Sequence, residues 1–245
     1  MIVKTPPARH NPAAMRQRTV GRMCQTLIDW RSAFHRNALQ RSHQAGAFTL
    51  IELLVVMAII AILIGLLFPA FRAVQDQAKR TQAKNDLTQI VNAVNAYYTD
   101  YGRYPLPTGT TGDFIYGPAG NSNPPSNSEL FYTLRGVNAG TMNLNNAANP
   151  RIIVFISPPS VKNDTAGNRR SGVSSIDGNY YDPYGTPYEV EIDGNYDNQI
   201  TTNPYTLNTG AGPGTLNIGV IAWSRGKDGA QGTDFNASDD VISWQ

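Results

Sequence analysis

Cysteine and histidine are nearly missing from this chain of 245 residues. The single cysteine is Cys24, and the three histidines, His10, His35 and His43, all precede residue 44. Beyond that point internal disulfides, histidine-based triads, thiol nucleophiles and nitrogen or sulfur metal centres are excluded. Stability there must come from packing or from a metal held by oxygen. A P-loop and a dinucleotide fingerprint are also absent, and no pair of acids stands in a context that marks it for carboxylate catalysis. These absences point away from an enzyme.

Charge is scarce as well, at 16% of residues, and it is unevenly placed. Residues 1–47 hold eight of the 20 lysines and arginines but only Asp29 among the 18 acids, a net of +7. The remainder carries 12 basic and 17 acidic residues, a net of −5. A basic segment ahead of an apolar run fits the positive-inside rule, with the first part cytoplasmic and the rest exported. Nucleic-acid binding by the same arginines is the alternative reading, and the negative balance of residues 48–245 argues against nucleic acid as a partner of the exported part. Residues 1–47 also contain Pro6, Pro7 and Pro12 and lack apolar periodicity, so they read as a leader. Met15 and Met23 are plausible alternative starts.

From Leu53 to Phe71 nineteen residues pass without a charge, close to the ~20 that cross a bilayer core as a helix. The sequence after this run, LLFPAF, lacks the small-residue cleavage pattern of a secretory signal. Glu52 stands at the front of the run, where an ionised side chain costs about 2.5–3.5 kcal/mol on insertion scales and so requires a counter-charge. A plain signal anchor, with Glu52 beside headgroups and water, is the bland alternative.

Past Pro69 the chain turns amphipathic. Ala83, Leu87, Ile90, Val91, Val94, Tyr97, Tyr98 and Tyr101 recur at three- and four-residue steps, with Gly102 and Pro105 as stop signals. Asp76, Lys79, Arg80, Lys84 and Asp86 read as the solvated face. One helix over 48–101, about 80 Å long at ~1.5 Å per residue, is predicted, kinked rather than ended by Pro69. The rest is rich in Gly, Asn, Pro, Ser and Thr, with strands expected in 151–156, 187–192, 217–224 and 240–244 and irregular loops in 107–128 and 157–179. The fold class expected is α+β: a long N-terminal helix, its first half membrane-embedded, packed on a small antiparallel head with long loops. The organisation expected is a leader over 1–47, helix halves over 48–71 and 72–101, and a head over 102–245.

The stretch GAFTLIELLVVMAIIAIL, with the basic leader before it and Pro69 after it, resembles the class III signal of type IV pilins and type II secretion pseudopilins. The resemblance implies cleavage by a prepilin peptidase before the apolar run and methylation of the new amino terminus. It further implies that Glu52 pairs with the amino terminus of a neighbouring subunit and so sets the axial step. The family usually places Gly directly before Phe, and here Ala47 intervenes between Gly46 and Phe48. Cleavage after Ala47 makes Phe48 the methylated first residue, with Glu52 fifth and Pro69 twenty-second, as the family's spacing has it. Cleavage after Gly46 suits the peptidase's preference for Gly and makes Glu52 sixth.

The order of DLTQIVNAVNAYYTDYGRYP, YDPYGTPYEVE and VIAWSRGKDGAQGTDFNASDDVISW resembles the landmarks of the major pseudopilin. That likeness implies a calcium ion held by oxygen ligands in the last loop, with Ser224, Asp228, Asp234, Asp239 and Asp240 as the matching residues. A solvated acidic turn is the alternative, and Ser238-Asp239-Asp240 departs from the family, which has two acids separated by one intervening residue. Residues 193–199 have oxygen-bearing side chains at alternate places, but Pro204 stands where an EF-hand needs Glu, so a β-turn is expected.

The function implied is a structural subunit that polymerises with itself and with minor pseudopilins on an inner-membrane assembly platform, its head periplasmic. A membrane-anchored minor pilin that binds a surface, DNA or a carbohydrate is the alternative.

Overall fold

A computed structural model describes residues 48–118, 126–205 and 210–245. Its longest element, α1, runs Leu50–Tyr101 and continues through Pro69. Residues 50–75 are exposed throughout. Burial begins at Ala83 and recurs at Asp86, Leu87, Ile90, Ala93, Val94 and Tyr97, one face at helical spacing. The helix ends where Gly102 takes a φ of 66° and donates its N–H to the Tyr98 carbonyl at 2.8 Å, a left-handed cap open to glycine at little cost. Phe48 and Thr49, which precede α1, are exposed and without regular structure.

The other elements follow as β1 (Phe114–Tyr116), α2 (Asn127–Leu134), β2 (Gly172–Val173), β3 (Tyr180–Tyr181), β4 (Glu189–Ile192), β5 (Val220–Ser224) and β6 (Val241–Ile242). Four strands form one antiparallel sheet in the order β1, β4, β5, β6, while β2 and β3 pair separately. The α+β class predicted from the sequence is the one observed.

Because side chains alternate across a strand, the sheet has two different faces. Val190, Ile192, Val220, Ala222 and Val241 pack with the buried face of α1 and with Tyr116, Leu130 and Phe131. On the other face Ile221, Trp223 and Ile242 are covered by Ile200, Tyr205, Ala211 and Leu216 from the irregular segments. β5 is therefore buried on both sides. Glu189 and Glu191 also fall on the loop-covered face by alternation; Glu189 meets the Arg225 guanidinium at 2.6 Å.

Two expectations are corrected. Residues 151–156 form no strand, since Ile152 has φ 52° and Asn149 engages the Ile153 N–H and carbonyl with its side-chain amide. Phe155 donates instead to the Leu134 carbonyl at the end of α2. Segments 107–128 and 157–179 are not wholly irregular, because they hold β1, the start of α2 and β2. The signal for α2 was present, a Ser126-x-x-Glu129 pattern ahead of Leu130 and Phe131. Ser126 does cap the helix by accepting from Ser128 N–H, but Glu129 turns to the Thr141 and Met142 amides.

Candidate functional site

The N-terminal site begins outside the described residues, where Gly46 and Ala47 lie. Phe48 is 74% exposed. Glu52 stands in the first turn of α1, where the partial positive charge of the helix terminus favours an acid. Pro69 lies seventeen residues further along the same helix, within the run that leaves every side chain from 50 to 75 exposed. α1 is long and apolar enough over this part to cross a membrane. In lipid such a surface gains little from hiding apolar area, so helices associate there through packing and polar pairing.

The second site lies between β5 and β6. Their antiparallel register sets Ser224 opposite Val241, so the connecting segment leaves and returns at the same place. That closure brings Asp228 near Asp239 and Asp240, each with one carboxylate oxygen within 4.8 Å of the others. Asp239 Oδ2 accepts from the Lys227 N–H at 2.6 Å and the Asp228 N–H at 3.3 Å. Gly226, at φ 65°, permits this approach: a Cβ there would lie 2.6 Å from the Asp239 carboxylate.

Asp240 is fully buried. Its Oδ2 accepts from the Tyr205 hydroxyl at 2.7 Å and the Gly232 N–H at 2.9 Å, while Oδ1 is buried with no hydrogen-bond partner. Burial raises its pKa above the ordinary aspartate value, and the charges of Asp239 and Asp228 push the same way. A buried acceptor without a donor is costly, and three converging carboxylates repel one another. Both costs are removed by a hard cation, which takes oxygen ligands from a flexible loop. The donor set therefore fits calcium.

Ser224 and Asp234 are engaged with other groups. The Ser224 hydroxyl donates to Asp182 Oδ2 at 2.5 Å and accepts from the Gly226 N–H. Asp234 accepts from the Asn236 N–H at 2.9 Å and caps the short turn Phe235–Ala237. Sequence reasoning overlooked Tyr205, Gly226 and Gly232, of which only the two glycines left a trace, as part of a Gly-rich loop. Residues 193–199 behave as a turn: Asp193 accepts from the Tyr196 and Asn198 N–H groups, both at 2.6 Å.

The prokaryotic N-terminal methylation motif matches residues 42–68. The chain is 40% identical over 86 residues to the type II secretion system core protein G of Pseudomonas aeruginosa, covering 35% of this chain and 60% of that protein. It is 36% identical over 67 residues to the protein of the same name from Aeromonas hydrophila, covering 27% of this chain and 46% of that one. The type IV major pilin protein PilA of Myxococcus xanthus is 39% identical over 57 residues, 23% of this chain and 26% of that pilin. The matches thus span about half the length of the core protein G relatives. No solved structure matches. Motif and helix together describe a membrane-anchored protein, with one candidate spanning helix among the described residues. By its methylation motif and these relatives, the chain bears out the resemblance to type IV pilins and type II secretion pseudopilins.

Proposed function

We propose that this chain is a structural pseudopilin of a type II secretion system, made as a prepilin and polymerised through α1. One observation carries the reading: a methylation motif opens a 52-residue helix that is exposed and apolar over its first half and buries one face in a head over its second. The prepilin peptidase removes the leader, methylates the new amino terminus and leaves the apolar half in the inner membrane, the head being periplasmic. In the fibre these halves pack side by side, and Glu52 meets the amino terminus of the next subunit, contributing register more than strength. Its partners are copies of itself, minor pseudopilins and the assembly platform, and no step requires catalysis by the chain itself. Mass spectrometry of the amino terminus, from cells with and without the peptidase, tests this. A methylated Phe48 or Ala47 only in the presence of the peptidase is expected; full-length unmethylated protein in normal cells would refute it.

The acidic loop serves as a calcium site in the same reading, supported by the convergence of Asp228, Asp239 and Asp240 and by the buried, unpartnered Asp240 Oδ1. The three aspartates would hold the ion, with backbone carbonyls completing its oxygen shell. The ion supplies neutralisation and a cross-link between the two ends of the loop, in a head without cysteine.

A further inference from the structure

Three side chains of α1 one turn apart, Asp76, Arg80 and Lys84, reach across to the segment that bears the aspartates. Asp76 Oδ2 lies 3.0 Å from Lys227 Nζ. Arg80 Nη2 donates to the Asp240 carbonyl at 3.1 Å. Lys84 Nζ donates to the Ile242 carbonyl at 2.7 Å and also to the Gln245 carbonyl. The i, i+4, i+8 spacing puts all three on one stripe of the helix. Arg80 and Lys84 span a groove of about 350 Å³ that Asp240 and Ile242 also help to line. This edge of the sheet is thus tied to α1 partly by long polar side chains, which leaves its docking adjustable.

The two ends of the acidic loop are each tied once. Lys227 precedes Asp228 and also gives its N–H to Asp239, so the Asp76 contact bears on one side of the cluster. Arg80 holds the main chain of Asp240, whose carboxylate is the buried member. Position and tilt of Asp240 are therefore set from α1 as well as from Tyr205 and Gly232.

Resting on the calcium reading above, we propose that the Asp76-Arg80-Lys84 stripe couples cation binding at Asp228, Asp239 and Asp240 to the docking of β6 on α1, with Arg80 as the positioning residue. Coupling between two equilibria is reciprocal: if the docked helix preorganises the aspartates, a bound cation tightens the docking by the same factor. Calcium then fixes how firmly the helix that carries the apolar assembly half is held by the head.

The test uses the full chain in detergent micelles, titrated with calcium chloride by isothermal calorimetry. Arg80→Ala raises the calcium dissociation constant about five- to tenfold. Arg80→Lys, which keeps a donor, recovers most of the loss, and Gln89→Ala, on the exposed side of α1, changes nothing. Hydrogen exchange on the unaltered protein adds a readout free of substitution: calcium slows exchange at Val241 and Ile242. Equal affinity of Arg80→Ala and the parent chain, or unchanged exchange in β6 at saturating calcium, overturns the coupling and leaves the calcium site standing. Absence of heat and of any calcium-dependent change in the parent chain overturns both.

Discussion

The Tyr188 hydroxyl donates a 2.8 Å hydrogen bond to Asp86 Oδ2, joining the residue before β4 to the buried face of α1. Tyr188 is fully buried and Asp86 only 9% exposed. Burial raises the Asp86 carboxyl pKa, opposed by hydrogen bonds from Tyr188 and Tyr180. The same burial, with the Asp86 charge, raises the phenol of Tyr188 well above its ordinary value, so it stays a donor. The contact helps to fix the rotation and height of the helix on the sheet, because a buried carboxyl here depends on Tyr188 and Tyr180 for its donors.

Removing that donor exposes the cost. Tyr188→Phe keeps the ring and is expected to destabilise the head by about 1–3 kcal/mol, the range for a buried acceptor that loses its partner. Denaturant unfolding followed by tryptophan fluorescence measures it. A loss below a few tenths of a kcal/mol would show that Tyr180 alone suffices.

Glu191 gives the head a pH dependence. It is almost fully buried on β4, its Oε2 has no hydrogen-bond partner, and desolvation with the nearby Asp113 charge moves its pKa from 4.5 to about 8. A carboxyl whose folded pKa is raised stabilises fully below its unfolded pKa and loses that contribution as pH rises through the folded one. Stability therefore declines as pH rises from about 4.5 to about 8, by up to about 5 kcal/mol at ~1.4 kcal/mol per unit. Asp86, Asp182 and Asp240 are raised too and act in the same sense. Asp177 is lowered despite its partial burial, by hydrogen bonds and Arg169, and its contribution is lost only under acid conditions. Glu191→Gln should flatten the neutral limb of a melting-temperature profile; an unchanged slope would assign it to the other acids.

Calcium should raise the melting temperature of the chain in micelles by several degrees, and a chelator should reverse the rise. Asp240→Asn is expected to abolish this increment, whereas Asp234→Asn, altering only the cap of the turn Phe235–Ala237, should retain it. Gly226→Ala, with its Cβ 2.6 Å from the Asp239 carboxylate and a φ of 65°, should weaken calcium binding at least about tenfold, given the strain of a left-handed non-glycine residue added to the clash. Loss of the increment in Asp234→Asn alone would relocate the ion.

Glu52→Ala should leave membrane fractionation intact, since it removes the most expensive group of the insertion run. Cross-linked polymer should fall about tenfold or more. Undiminished polymer would deny Glu52 a part in setting the step.

Local signals in the sequence determined the long helix, its division into an exposed apolar half and an amphipathic half, and its end at Gly102. They also located β4, β5 and β6, because apolar periodicity and glycine stops act between near neighbours. The short strands β1, β2 and β3 carry too few residues to show a period.

The partners of charge were decided by tertiary structure. Asp86 looked solvated, although it stands three residues after Ala83 and four before Ile90, on the buried face; its tyrosine partner is 102 residues away. Arg80 and Lys84 are not merely solvated either, since they bind carbonyls about 160 residues away. Of the five oxygen-bearing residues expected in the last loop, the three acids Asp228, Asp239 and Asp240 converge, because the β5–β6 register closes the loop on them, while Ser224 and Asp234 have other hydrogen-bond partners. Composition states which groups exist; only the folded chain, by withdrawing water from some of them, decides which must find one another.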